Sequence, residues 1–124
     1  MAHIEIILSY KERANDDIKA AEEMFSSHFY LAAISRAYYA AFYAVTAALL
    51  TKDIKVQKHK QLEIEFRRHF IKTGNLSKKY SEILEELFQA RQNADYDAIP
   101  EITETRVREL IEEAKDFVQA VSSL

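Results

Sequence analysis

The chain has no cysteine and no tryptophan, and only one glycine and one proline in 124 residues. Without cysteine there is no disulfide framework, no thiolate metal site and no thiol nucleophile. A single glycine excludes a glycine-rich phosphate loop. With a single proline beside it, almost no turn chemistry is left for β-hairpins, so an all-α fold is expected. Neither sign of charge dominates: 17 Lys and Arg face 20 Asp and Glu, for a net charge of −3. That balance argues against a broad nucleic-acid surface and leaves room only for a local basic patch. The opening residues, MAHIEIILSYKER, have no basic leader and too short an apolar run for a signal peptide. Together with the missing cysteine, this sets the expectation of a cytoplasmic protein.

What is present is apolar and helical in period. Hydrophobic residues make up 48% of the chain and charged residues 30%, a globular balance. The length suits one domain over residues 1–124. Five helical segments are predicted. The first, about Ile4 to Phe25, sets Ala14, Ile18, Ala21 and Phe25 on one face. Ser26 or Ser27 is expected to cap the next helix. The second, about Phe29 to Leu50, carries the stripe Leu31, Tyr38, Phe42, Val45 and Leu49, with alanines filling most of the rest. The third, about Gln61 to Lys72, spaces Leu62, Phe66 and Phe70 four apart, and Gly74 suits its C-terminal cap. The fourth, about Lys78 to Asp95, is capped by Ser77 and presents Ile83, Leu84, Leu87, Phe88, Arg91 and Ala94. Pro100 stops continuation. Thr103 caps the fifth, whose seam is Val107, Leu110, Ile111, Ala114, Phe117, Val118 and Val121. Short connections favour antiparallel neighbours and an up-and-down bundle of four to five helices.

Two arginines fall where arginine is costly. From Phe29 to Leu50 the chain reads FYLAAISRAYYAAFYAVTAALL, and Arg36 is its only charge, among Tyr30, Tyr38, Tyr39 and Tyr43. The stretch is long enough to span a bilayer. Its alanine and tyrosine content, and a charge opposing insertion by about 2.5–3.5 kcal/mol, favour a buried helix of a water-soluble bundle instead. Arg91, in ARQNADY, lies on the apolar stripe of the fourth helix. A desolvated guanidinium must pair with a carboxylate or carbonyls, or face a groove where its fork binds phosphate. Arg91 has Asp95 four residues on as an internal partner. His59 lies in the basic run KVQKHKQ, either as an exposed histidine or as a group able to accept a proton near neutral pH. Arg67, Arg68 and His69 read as a solvated face. No helix carries a His-x-x-x-His or Glu-x-x-His pair, so no metal site and no cofactor are expected.

The residues SRAYYAAFYAVTAALL, His59, FIKTGNLS and RQNADY together resemble the HEPN domain, over about Ile6 to Val121. The small stand-alone HEPN proteins of bacteria and archaea, an uncharacterised protein family, are the most similar branch. The resemblance implies a HEPN-like bundle, usually a homodimer, often paired with a minimal nucleotidyltransferase (MNT) as a toxin–antitoxin system. In catalytic branches it implies a metal-independent ribonuclease. There an Arg, a polar residue and a later His face the same motif across the dimer groove. The His acts as base toward a 2′-hydroxyl, and the Arg stabilises the phosphorane. In some pairs the transferase attaches AMP to a tyrosine just after the motif.

Carried onto this chain, Arg91 matches the motif arginine, and Gln92 and Asn93 take the polar positions. The motif His is absent. Tyr96, five residues after Arg91, stands where it is needed, and a phenol with pKa near 10 is a poor base. His59 is the one remaining base, which makes Arg91 and His59 the candidate catalytic pair. Arg36, Tyr39, Asp95 and Tyr96 are the candidate nucleotide- or RNA-binding residues. The expected function is a HEPN-type partner of an MNT nucleotidyltransferase that binds RNA or nucleotide in a dimer groove. The alternative is a non-catalytic dimeric adaptor with structural arginines. A small-ligand bundle would require an enclosed apolar pocket near Tyr38 and Phe42.

Overall fold

The computed structural model describes residues 3–124, and these form five α-helices and no strand. They are α1 (Ile4–Ser26), α2 (Tyr30–Leu50), α3 (His59–Phe66), α4 (Lys78–Tyr96) and α5 (Glu104–Ser122). The third segment is not uniform. After Phe66 it widens into a π turn over Arg67–Ile71, closed by Lys72 N–H donating to the Arg67 carbonyl at 2.8 Å. Phe70, four residues on, faces inward beneath Phe66, with ring centroids 6.0 Å apart.

Helix α2 is the hub and touches each of the other four. Its inner surface is built largely of alanine: Ala33, Ala37, Ala40, Ala41, Ala44 and Ala48 are all buried. Small side chains let neighbouring helices approach closely, which is why a helix of such weak amphipathicity sits at the centre. This corrects the expected stripe. Tyr38, Val45 and Leu49 are buried, but Leu31 is 40% exposed and Phe42 only half-buried. Choosing a face by its large residues overlooked the alanines that define it. Burial within the bundle accounts for the apolar length of α2. On α5 all seven seam residues are buried, and Phe117 meets Phe66 at 5.5 Å between ring centroids.

The connections show how the bundle turns with so little glycine. Helix α1 ends in a Schellman motif: Phe29 N–H donates to Met24 C=O at 2.8 Å and His28 N–H to Phe25 C=O at 3.0 Å. The left-handed position is His28, φ 66°. The same pattern ends α2, with Asp53 at φ 60° and Ile54 N–H on Leu49 C=O at 3.0 Å. Only the third stop uses Gly74, φ 83°. Histidine and aspartate visit this region more readily than most residues, so two of three turns need no glycine. Ser26 and Ser27 therefore end α1 instead of capping α2, whose N-cap is Phe29. Ser77 occupies the N-cap of α4, but its side chain makes no capping bond. Thr103 does cap α5, accepting from Arg106 N–H at 3.1 Å.

Candidate functional site

Tyr38 organises the site. It is 2% exposed, on the α2 face toward α3 and α4. Its hydroxyl lies 2.9 Å from His59 Nδ1, at the first residue of α3. The His59 ring lies flat on Phe88 of α4, with centroids 3.6 Å apart and planes 9° apart. Burial pushes the Tyr38 hydroxyl well above the ordinary tyrosine range, against the pull of the Arg91 charge, so it stays protonated. Burial also lowers the His59 pKa, and Arg91 adds to this while Glu85 opposes it. His59 is therefore a neutral imidazole at neutral pH.

The two arginines meet at the next tyrosine. Arg36 lies 5.1 Å and Arg91 5.2 Å from the Tyr39 ring centroid, and Arg91 also lies 5.5 Å from Tyr38. Cation–π attraction of this kind contributes about 0.5–1 kcal/mol at half-exposed positions. Each guanidinium also has a carboxylate. Arg36 Nη1 donates to Asp17 of α1 at 3.1 Å, and Arg91 Nε stands 2.8 Å from Asp95 Oδ2, an ion pair too bent for a hydrogen bond. Asp95 in turn accepts from Ser35 at 3.2 Å, tying the end of α4 to the start of α2. Burial pushes the Asp17 carboxyl up despite Arg36 beside it. Neither arginine is sealed in: the side chains retain 36% exposure at Arg36 and 21% at Arg91.

Arg36, Tyr39, Arg91 and Asp95 are thus brought together on one α2–α4 face. Tyr96 stands at the end of α4 and is 73% exposed. His59 shares Tyr38 with Arg91, but both its ring nitrogens are turned to the protein. Nδ1 meets Tyr38, and Nε2 is buried 3.6 Å from Glu63. Of the residues that complete the site, Asp17, Ser35, Glu63, Glu85 and Phe88 escaped the sequence reading. Glu63 had a signal, four residues after His59. The others are set by contacts between helices. Among the described residues, five open surface cavities are lined without Arg36, Tyr38, Tyr39, Phe42 or Arg91, and the one between the π turn and α4 includes Glu85. A cavity of about 310 Å³ between α4, the 97–103 segment and α5 lies away from the arginines.

This is a five-helix bundle with an arginine- and tyrosine-rich surface site. The HEPN domain family matches residues 7–124, and the chain belongs to that family. Among its relatives is "Putative toxin MJ0142" of Methanocaldococcus jannaschii, 39% identical over 86% of this chain and 73% of the relative. A second protein of that organism, "Putative toxin MJ0605", is 33% identical over 89% of this chain and 81% of its own length. A UPF0332 protein of Thermotoga maritima is 32% identical over 96% of this chain and 90% of the relative.

Proposed function

We propose that this HEPN protein is the toxin-like member of a toxin–antitoxin pair with an MNT-type nucleotidyltransferase, and that it binds the sugar–phosphate backbone of RNA at the Arg36–Tyr39–Arg91 face. The observation that carries this reading is the convergence of two partly exposed guanidiniums on one tyrosine ring. Guanidinium forks recognise phosphate, and the shared tyrosine ring holds the two of them side by side. A homodimer would set two such faces opposite each other, as HEPN domains commonly do. Binding is favoured over cleavage, because the one available base, His59, presents neither nitrogen to the solvent side. Tyr96, exposed at the end of α4, is the residue a partner transferase would modify.

The adaptor reading rests on a different observation, the carboxylate beside each arginine. In it Asp17 and Asp95 satisfy the charges and the face binds only protein. Fluorescence anisotropy with a labelled single-stranded RNA separates the two. Binding by the parent chain that is lost in the Arg36→Ala/Arg91→Ala double variant supports the RNA face. No binding, or binding the double variant retains, sinks it. Incubation with an MNT-type nucleotidyltransferase and ATP, followed by intact-mass measurement, tests Tyr96. A mass gain that disappears in Tyr96→Phe is the expected result, and an unmodified chain in the presence of active transferase refutes the assignment.

A further inference from the structure

On the edge of the His59 ring opposite Tyr38 lies a second constellation. His59 and Glu63 stand one turn apart on α3, and Glu85 reaches them from α4. One donor atom from each lies within 4.8 Å of the other two. His59 Nε2 and Glu63 Oε2 are 3.6 Å apart, shielded from solvent, and neither has a hydrogen-bond partner. Buried polar atoms left in this state are uncommon and call for a partner. Two carboxylates and an imidazole nitrogen thus stand together where one cation would face a donor atom from each.

We propose that His59, Glu63 and Glu85 form a binding site for a divalent transition metal of the zinc class. Zinc bonds of about 2.0–2.2 Å at tetrahedral angles set neighbouring ligand atoms about 3.4 Å apart, close to the His59–Glu63 separation. Glu85 is exposed and on a flexible stem, so it closes the remaining distance at little cost. The histidine is already held as a ligating histidine is held. Tyr38 engages its other nitrogen and Phe88 fixes the ring plane, which sets the aim of the ring; with the metal on Nε2, Nδ1–H donates to the Tyr38 oxygen. One nitrogen and carboxylate oxygens, with no thiolate, suit zinc, manganese or iron in preference to copper(I). Three protein ligands leave a fourth position for water. The ion would tie the start of α3 to the middle of α4. Arg67, 4.0 Å from Glu63 Oε1, and Arg91, whose charge already acts on His59, are nearby cations that would oppose it.

The test uses the full chain, stripped with EDTA and dialysed, then titrated with zinc chloride alone. One Zn²⁺ per chain by calorimetry and a rise in Tm of at least about 4 °C at saturation are expected. Glu85→Gln, on an exposed side chain, should fold normally and lose at least about ten-fold in affinity. Glu63→Gln/Glu85→Gln should abolish binding, with circular dichroism showing the fold kept. His69→Ala, at the surface His69–Glu65 pair, should bind as the parent does. No uptake by the parent, or equal affinity in Glu85→Gln, overturns the proposal. Loss of binding in His69→Ala alone would place the ion elsewhere and overturn it too.

Discussion

Replacing Arg91 with alanine separates a binding arginine from a structural one, because the two roles differ in magnitude. In the free chain Arg91 has one i,i+4 ion pair, to Asp95, and lies over two tyrosine rings. The pair contributes about 0.3–0.5 kcal/mol at a partly exposed position. Each ring adds about 0.5–1 kcal/mol, and the terms overlap. The loss in stability should be about 1–2 kcal/mol, or about 3–8 °C in Tm for a chain of this size. A charged hydrogen bond to phosphate is worth about 1.5–3 kcal/mol. RNA affinity should therefore fall about 10–100-fold, at about ten-fold per 1.4 kcal/mol. Anisotropy over a salt series adds a second signature: for each phosphate that the variant no longer neutralises, the slope of log affinity against log salt should flatten by about 0.7. Asp95→Asn provides the opposite perturbation. It removes the acid that competes for Arg91 and should tighten binding about two- to five-fold. A loss above about 3 kcal/mol in Arg91→Ala with unchanged RNA affinity would refute the reasoning and make the arginine a strut.

Three further outcomes follow from the fold. His28→Gly should stabilise the chain by about 0.5–1 kcal/mol in urea unfolding, because relief of the left-handed strain exceeds the extra flexibility of glycine in the unfolded chain; a destabilised variant would show that the bond between His28 and the Tyr30 hydroxyl outweighs the strain. Phe66→Ala should cost about 3–5 kcal/mol, since the ring is fully buried against Phe70 and Phe117, and a loss below about 1 kcal/mol would contradict the packing. Glu113 has its pKa raised from 4.5 to about 6 by burial and by its hydrogen bond to Glu86, with Arg106 opposing. The folded state holds this proton more tightly than the unfolded one. The contribution is full below pH 4.5 and fades as pH rises through about 6. Glu113→Gln should remove that decline from the stability–pH curve, and an unaltered curve would refute it.

Where the sequence reading succeeded, it had a periodic signal to work with. The α5 seam repeats every three to four residues, and every member is buried. The Thr103 cap and the Gly74 stop are local chemistry and stand where expected. Helix α2 was harder, since alanine is counted weakly in any hydrophobic pattern yet defines its buried face. The π turn after Phe66 had no local marker. Arg91 with Asp95 was legible because both lie on one helix at a fixed spacing. Asp17 as the partner of Arg36 was not, because α1 and α2 bring them together across 19 positions of chain.

By itself the sequence determined that this chain is helical, where its helices run, and that two arginines would need partners. Helix period and the shortage of glycine and proline act over a few residues, so they can be read along the chain. Only the tertiary structure decided that the arginines share Tyr39, that His59 turns both nitrogens inward, and that Glu85 joins Glu63 beside it. Those outcomes depend on how helices distant in sequence are rotated against one another, and that rotation is fixed by packing over the whole core.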